Sequence, residues 1–431
     1  MLDCNLSGKR LLLVGGVGSA YDLIGLARRN GVFIGVADYN KDTSVKKIAD
    51  AAYDINVTDV DAVVKLYQDE KFDGMITNFS DMLAPFVTQA AERVGAYVPY
   101  TVEQLKMSTD KKYFKQKCME YGVPVPKEYP VETIEDIDSV QIEYPVIVKP
   151  VDGSGSKGIT ACFNAEELKK GFQKAMDASR HKSVIVEQFV PYDEINVTYI
   201  IQDGDVQLAA IHDRYLNDNP NTAVHIPDLY IYPSRYTNVY LEKYNDAVIR
   251  MLKGIGLKNG SMFMQACVKD ENVYFYEAGM RLNGCKTYQI LEMENDYNTF
   301  EHLMCFALTG SMGKHQTFDP RFKRWYATWN VAGRPGAICD RFSGLEELRS
   351  YPWLIQAAIR YFKGDQIPVN SEGTLIQLTA RIHLYADTKE QLLQRLEKMF
   401  SLYQIYDPEG KEVLLPTHSI EDIRSKLNYE L

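Results

Sequence analysis

Residues 144–163 read YPVIVKPVDGSGSKGITACF. The apolar run YPVIVKP (144–150) carries a single lysine, Lys149, at its far end and enters a loop rich in glycine and serine, VDGSGSKG (151–158). GITACF (158–163) then returns as a second short apolar segment. Apolar runs bounded by glycine predict two paired strands with a turn between them. A lysine at the end of a buried strand can reach a nucleotide phosphate as a point charge. Flanking glycines let successive backbone N–H groups turn inward into an anion-binding nest. The same glycines would equally suit a mobile hairpin turn, and the loop is not a Walker motif.

Downstream, AEELKKGFQKAM (165–176) predicts a helix and SVIVEQFV (183–190) another strand, so residues around the loop form a compact α+β unit. Upstream, TDKKYFKQKCMEYGV (109–123) predicts an amphipathic helix that ends in the proline-marked PVPKEYP (124–130). Within VIVEQFVPYDEI (184–195), Glu187 and Glu194 flank a strand-to-loop transition. They are acceptors for an adenine amino group or ribose hydroxyls, or simply solvated acids. The segment MFMQACVKDENVYFYEAGMR (262–281) reads as two strands around the turn KDEN. Gln265 and Glu277 then project to one face, where hard oxygens could share Mg²⁺ with phosphates. Arg281 lies four residues beyond and could stabilise transferring phosphoryl or oxyanion charge. The plainer alternative is a cross-strand polar pair with a surface arginine.

Before this unit, RLLLVGG (10–16), SAYDLIGLARRN (19–30), GVFIGVAD (31–38), DGMIT (73–77) and APFVTQAAERVG (84–95) alternate short apolar runs with amphipathic helices. That alternation predicts a parallel α/β sheet ending near residue 100. GGVG (15–18) with Asp38 matches part of a dinucleotide fingerprint, but without its full spacing a tight strand-to-helix turn explains it better. After it, ARIHLYAD (380–387) and TKEQLLQRLEKMFSLY (388–403) predict a strand and helix of a last lobe.

Length and charge bound the rest. A chain of 431 residues suggests two to four folding units at roughly 100–200 residues each. The 45% hydrophobic and 25% charged content is that of a soluble globular protein. The net charge of −10 argues against nucleic acid as a partner. No apolar run is long enough to span a membrane, and Lys9-Arg10 with its short apolar sequel fits a strand and turn better than a signal peptide. Seven cysteines scattered without C-x-x-C spacing predict reduced thiols in a cytoplasmic protein.

In combination and in order, these elements resemble the ATP-grasp superfamily over roughly residues 1–310. The likeness looks nearest the carbamoyl-phosphate synthetase, biotin carboxylase and glycinamide-ribonucleotide synthetase branch, with an amino-acid-ligase-like character. The resemblance implies an α/β and α+β architecture in four parts. These are a Rossmann-like parallel domain (1–103), the lid region of the grasp (104–192), its large subdomain (193–315) and a C-terminal α+β lobe (316–431) containing Arg381. Residue by residue, it implies that Lys111 (with Lys112 as neighbour) and Lys149 contact phosphates. Ser154, Gly155 and Ser156 would form the lid, Glu187, Phe189 and Val190 the adenine hinge, and Glu194 the ribose contact. Gln265 and Glu277 would bind the metal, and Arg281 would be the catalytic arginine beside Lys149. His212, in AAIHDRY (209–215), falls where some members face the phosphates, although a satisfied core or surface histidine reads as well.

One position departs from the pattern. The family's E-x-N-P-R segment is EAGMR here, so Gly279 stands where an asparagine supplies a further metal ligand, and Asn283 lies too far along to replace it. The Arg281-Leu-Asn-Gly284 stretch that follows is similar to amino-acid-ligase-like members. The expected activity is therefore ADP-forming ligation of a small carboxylate to an amine through an acyl phosphate, with ATP and Mg²⁺ (Mn²⁺ as substitute), in a homodimer. Alternatives are a bicarbonate- or ribosylamine-using ligase, a non-catalytic ATP-binding sensor, and a nicotinamide-dependent dehydrogenase built on GGVG and Asp38. Arg214 and Arg235 are candidate carboxylate anchors or surface charges, and Cys285 reads as an inert buried thiol.

Overall fold

The computed structural model describes every residue except 1, 3, 17, 153–157, 190–192 and 218–225, and only the backbone of Ser19. Strands β1 (Arg10–Val14), β2 (Phe33–Ala37), β3 (Ala51–Tyr53) and β4 (Gly74–Ile76) form a parallel sheet in the order β3-β2-β1-β4. Leu11 to Val14 are buried without alternation, as a strand covered on both faces must be. Helices Tyr21–Arg29 and Val60–Asp69 connect β1 to β2 and β3 to β4, Ala84–Val94 follows β4, and Asp59 caps the second by accepting from Ala62 N–H. The helix Thr299–Thr309 packs Phe300, Leu303 and Met304 among Leu11, Leu13 and Leu23. A Cβ on Gly74 would stand 2.1 Å from the Ala307 carbonyl oxygen, so only glycine admits this close approach of β4 to the helix.

β5 (Glu128–Tyr129), β6 (Val146–Pro150), β7 (Thr160–Cys162) and β8 (Val184–Gln188) make a small sheet in the order β5-β8-β6-β7, its pairings antiparallel. The helix Ala165–Ala178, capped by Asn164, covers one face with Leu168, Phe172 and Ala175 against Val146, Val148, Val184 and Val186. Because strand side chains alternate, Ile147, Lys149 and Glu187 are left to the other face.

The third sheet is antiparallel and runs β13-β12-β9-β10-β11-β14-β17-β16. Its members are β9 (Asp193–Gln202), β10 (Asp205–Leu216), β11 (Pro227–Tyr232), β12 (Gly260–Lys269), β13 (Asn272–Gly279), β14 (Trp325–Ala332), β16 (Leu354–Ile359) and β17 (Leu378–Ala386). β15 (Arg341–Ser343) pairs with β18 (Gln404–Tyr406) in a separate ribbon. The 262–281 hairpin forms around KDEN as read, with Asp270 and Glu271 both at positive φ in the turn; that twist matches the strands it joins. One face of β9, β10 and β12 buries Val197, Tyr199, Ile211, Met262 and Met264 under the helix Asn245–Gly254. The opposite face holds the polar side chains. β17 and the helix Lys389–Leu402 occur as read, and β14, β17 and β16 continue the large sheet.

The expectation of reduced thiols fails at one place. Cys4 and Cys305, 301 residues apart, are joined as a disulfide, because the N-terminal segment folds against the helix Thr299–Thr309. The other five cysteines are free. Among the described residues no helix is long and apolar enough to cross a membrane.

Candidate active site

A cavity of about 2460 Å³ is walled by the small sheet, the polar face of the large sheet, the turn after β1 and the C-terminal strands. Single small-ligand pockets span roughly 300–1,000 Å³, so this space admits more than one ligand. Lys111, Lys149, Glu187, Phe189, Glu194, His212, Gln265, Glu277 and Arg281 all line it. Lys112, the neighbouring candidate, is exposed and does not.

At one end stands a buried ion cluster. Lys149 Nζ meets one oxygen of Glu187, and Lys115 Nζ meets the other while also lying 3.0 Å from Glu128. Side-chain exposures of 5%, 3% and 3% leave little water to screen Lys149, Lys115 and Glu187. Burial alone would raise the carboxyl pKa of Glu187, but the two ammonium groups outweigh it and hold that pKa below its ordinary value. For Lys115, burial opposes the charge and is outweighed by Glu187 and Glu128, so its pKa stands above the ordinary value. Lys111 opens the helix Lys111–Glu120, whose Asp110 cap accepts from the N–H groups of Lys112 and Tyr113. Burial lowers its pKa, with Lys149 adding to that effect and Glu277 and Glu187 opposing it.

Across the large sheet, register places residues in rows. Glu277 stands opposite Gln265, Gln265 opposite Asn196, and Asn196 opposite His212. Directly opposed residues share a face, with Cβ atoms about 4.5–5.5 Å apart. One step along, Glu194 lies between Cys267 and Arg214. The Tyr276 hydroxyl is 3.1 Å from both Glu194 and Gln265 Oε1, while Arg214 donates to that hydroxyl (2.7 Å) and lies 2.9 Å from Glu194. Arg214 is thus no surface charge, and Arg235 is likewise committed, 2.6 Å from Asp193. His212 is 0% exposed between the rings of Tyr230 and Tyr232; burial, with the nearby Arg214, drives its pKa well below the ordinary value and keeps it neutral.

The other side of the metal-pair row explains position 279. A Cβ on Gly279 would stand 2.3 Å from the Phe263 ring, so Phe263 occupies the room an asparagine side chain would need. The Arg281 guanidinium lies 5.0 Å over that ring, donates from Nε to Asp81 at 2.5 Å and from Nη1 to the Leu282 carbonyl at 3.0 Å.

The ATP-grasp domain profile matches residues 142–289, the stretch that holds Lys149, Glu187, Glu194, His212, Gln265, Glu277 and Arg281. This part of the chain is an ATP-grasp domain. The carbamoyl phosphate synthase large chain of Archaeoglobus fulgidus is 25% identical over 240 residues, 52% of this chain but only 22% of its own length. An L-amino acid ligase from Bacillus licheniformis shares the fold with a TM-score of 0.75 at 16% identity, covering 93% of this chain and 99% of its own. The biotin carboxylase domain of Hydrogenobacter thermophilus 2-oxoglutarate carboxylase, a dimer solved with MgADP, ADP and bicarbonate, superposes with a TM-score of 0.75 at 18% identity. It covers 98% of this chain and 99% of that one. The fold shared with these two proteins extends along nearly the whole chain.

Around the ATP-grasp domain, several polar residues join the cavity that the sequence did not single out. Asp22, at the start of the helix Tyr21–Arg29, accepts from Lys286 Nζ (3.0 Å), Tyr288 (2.7 Å) and Gln289 (2.8 Å), and Lys286 also donates to Gln356 (2.9 Å). One hub thus ties the N-terminal unit to the segment after Arg281 and to β16. Burial lowers the pKa of Lys286, partly offset by Asp22. Arg381 reaches the same wall, donating to Asn330 at 2.7 Å and to the Gly284 carbonyl. Lys115 and Asp81 carried no local signal beyond their charge. At the first turn, Asp38 is 8% exposed and already accepts from the N–H groups of Gly16 (2.7 Å) and Asn40 (2.8 Å). That is the tight-turn reading of GGVG. Ser154, Gly155, Ser156 and Val190 lie outside the described residues.

Proposed function

We propose that the chain is an ADP-forming ligase that activates a small carboxylate with ATP and joins it to an amine. One observation carries this reading. A buried lysine, Lys149, and a half-buried one, Lys111, line one cavity with a facing pair of hard oxygen donors and an arginine, which is the charge pattern that phosphoryl transfer requires. Mg²⁺ is usually held by one or two carboxylates and by phosphates, and Glu277 opposite Gln265 offers donors of that kind.

In this reading Lys111 and Lys149 bind the phosphates, and Glu187 acts by fixing Lys149 rather than as a free acceptor. Ser154, Gly155 and Ser156 cover the phosphates, Phe189 and Val190 frame the base, and Glu194 accepts from the ribose, held ready by Arg214 and Tyr276. His212, neutral and enclosed, serves as a wall. Gln265 and Glu277 would hold Mg²⁺ or Mn²⁺, which supplies charge neutralisation at the phosphates. A carboxylate oxygen attacks the γ-phosphorus and ADP leaves with the bridging oxygen. The amine then attacks the acyl carbon, phosphate leaves with the original carboxylate oxygen, and the amine proton passes to solvent. Arg281, oriented by Asp81 and Phe263, faces the charge that develops in both steps. Composition and charge favour small-molecule substrates in the cytoplasm, and a homodimer remains part of the reading.

A second reading, an ATP-binding sensor without turnover, draws on the filled space at Gly279. ADP release measured with pooled amino acids, small carboxylates and bicarbonate separates the two. Release that requires both a carboxylate and an amine is expected. Release with bicarbonate alone moves the activity to the carboxylating relatives, and tight ATP binding with no release in any pool favours the sensor.

A further inference from the structure

We propose that Asn196 is a third oxygen donor to the cation assigned to Gln265 and Glu277, taking the place of the ligand missing at Gly279; this rests on the nucleotide reading above. Three observations lead there. Asn196 stands directly opposite Gln265, which stands directly opposite Glu277, so the three side chains occupy one row on the cavity face. Asn196 is 3% exposed and lines the cavity, yet its buried Oδ1 has no hydrogen-bond partner. Buried polar atoms are nearly always bonded, and an orphan calls for an explanation such as an ion.

The surroundings suit a cation at that oxygen. The position the family uses is closed, since the Phe263 ring fills the space beside Gly279. Asn283, the other asparagine near the motif, is committed, because its Nδ2 donates to Thr287 Oγ1 at 2.7 Å and its Oδ1 accepts from Thr287 N–H at 3.1 Å. Gln265 Oε1, Asn196's neighbour, is steadied by the Tyr276 hydroxyl. Amide and carboxylate oxygens are the ligands that hard cations accept.

The test uses the full chain and Mn²⁺ as the probe. Mn²⁺ affinity is read by electron paramagnetic resonance with ADP present, and ADP affinity is read separately in chelator. Asn196→Ala is expected to weaken Mn²⁺ binding by about tenfold, in the range that altered metal surroundings usually cost. Asn196→Asp, which keeps an oxygen, is expected to bind Mn²⁺ at least as tightly as the parent. Metal-free ADP affinity should stay within about twofold in both, since a tenfold change is the smallest that marks a lost contact of 1.4 kcal/mol. Asn196→Leu, similar in size without the oxygen, replaces the alanine variant if circular dichroism shows the latter unfolded. Unchanged Mn²⁺ affinity in a folded alanine or leucine variant overturns the proposal, as does an equal loss of ADP affinity in chelator, which would make Asn196 a phosphate contact. If the parent chain binds no ADP at all, the nucleotide reading itself fails.

Discussion

Two glycine-bearing strand ends in this molecule look alike in sequence and behave differently. At the end of β1, Gly15 and Gly16 turn the chain, and the nearby acid, Asp38, spends both carboxylate oxygens on the backbone N–H groups of Gly16 and Asn40. At the end of β6, Lys149 stands before the Gly/Ser loop, pairs with Glu187 and still faces the cavity. The first end has closed on itself, whereas the second keeps a cation at a space large enough for ligands. Glycine spacing is therefore silent about function until the partners of the adjacent charged group are known.

Substitutions at the two ends should separate sharply. Glu187→Gln strikes hardest, because it leaves Lys149 and Lys115 buried without their shared anion. Breaking such a pair costs about 3–5 kcal/mol, measurable as the shift of a denaturant midpoint. The pH dependence follows from the direction of its shift. A carboxyl whose folded pKa is lowered contributes stability that is fully present above its ordinary value of 4.5 and is lost as pH falls through the lower folded value. The parent should therefore lose stability below that pH more steeply than Glu187→Gln, and parallel acid profiles would contradict the pairing. Next, Lys149→Ala should cut ADP release on the order of 100-fold, about 2.7 kcal/mol of transition-state stabilisation. Steady-state kinetics on whichever substrates support turnover would measure it. Asp38→Asn is the mildest, costing about 1–2 kcal/mol for one unsatisfied N–H. It should lower the thermal midpoint and leave the KM for ATP unchanged. A raised KM would reopen the first strand end as a binding site.

Much of this contrast was legible where the signal is local. The 262–281 hairpin announces itself as two strand-like runs around a four-residue turn, and the register next to the turn, from Lys269 opposite Asn272 to Ala266 opposite Phe275, follows from it. Lys149 could be read because it ends an apolar strand before glycines, and Lys111 was distinguished from Lys112 only by which one the helix turns inward. What stayed hidden depends on distant pairings. Asp81 meets Arg281 across 200 residues and Asp22 meets Lys286 across 264, and no periodicity encodes such contacts. Gly279 was visible as a gap in the motif, but that Phe263 fills the gap is a packing fact. The irregular step opposite Gln265 and Ala266 likewise makes Tyr276 an extra residue of β13, where its hydroxyl meets Glu194 and Gln265. Strand alternation alone does not foresee it.

The acyl phosphate itself can be tested by following one oxygen. With carboxylate substrates labelled with ¹⁸O and an amine supplied, the phosphate released alongside ADP should carry one labelled oxygen from the carboxylate. Phosphate released without that label, its new oxygen drawn from water, would contradict carboxylate activation and leave only ATP hydrolysis.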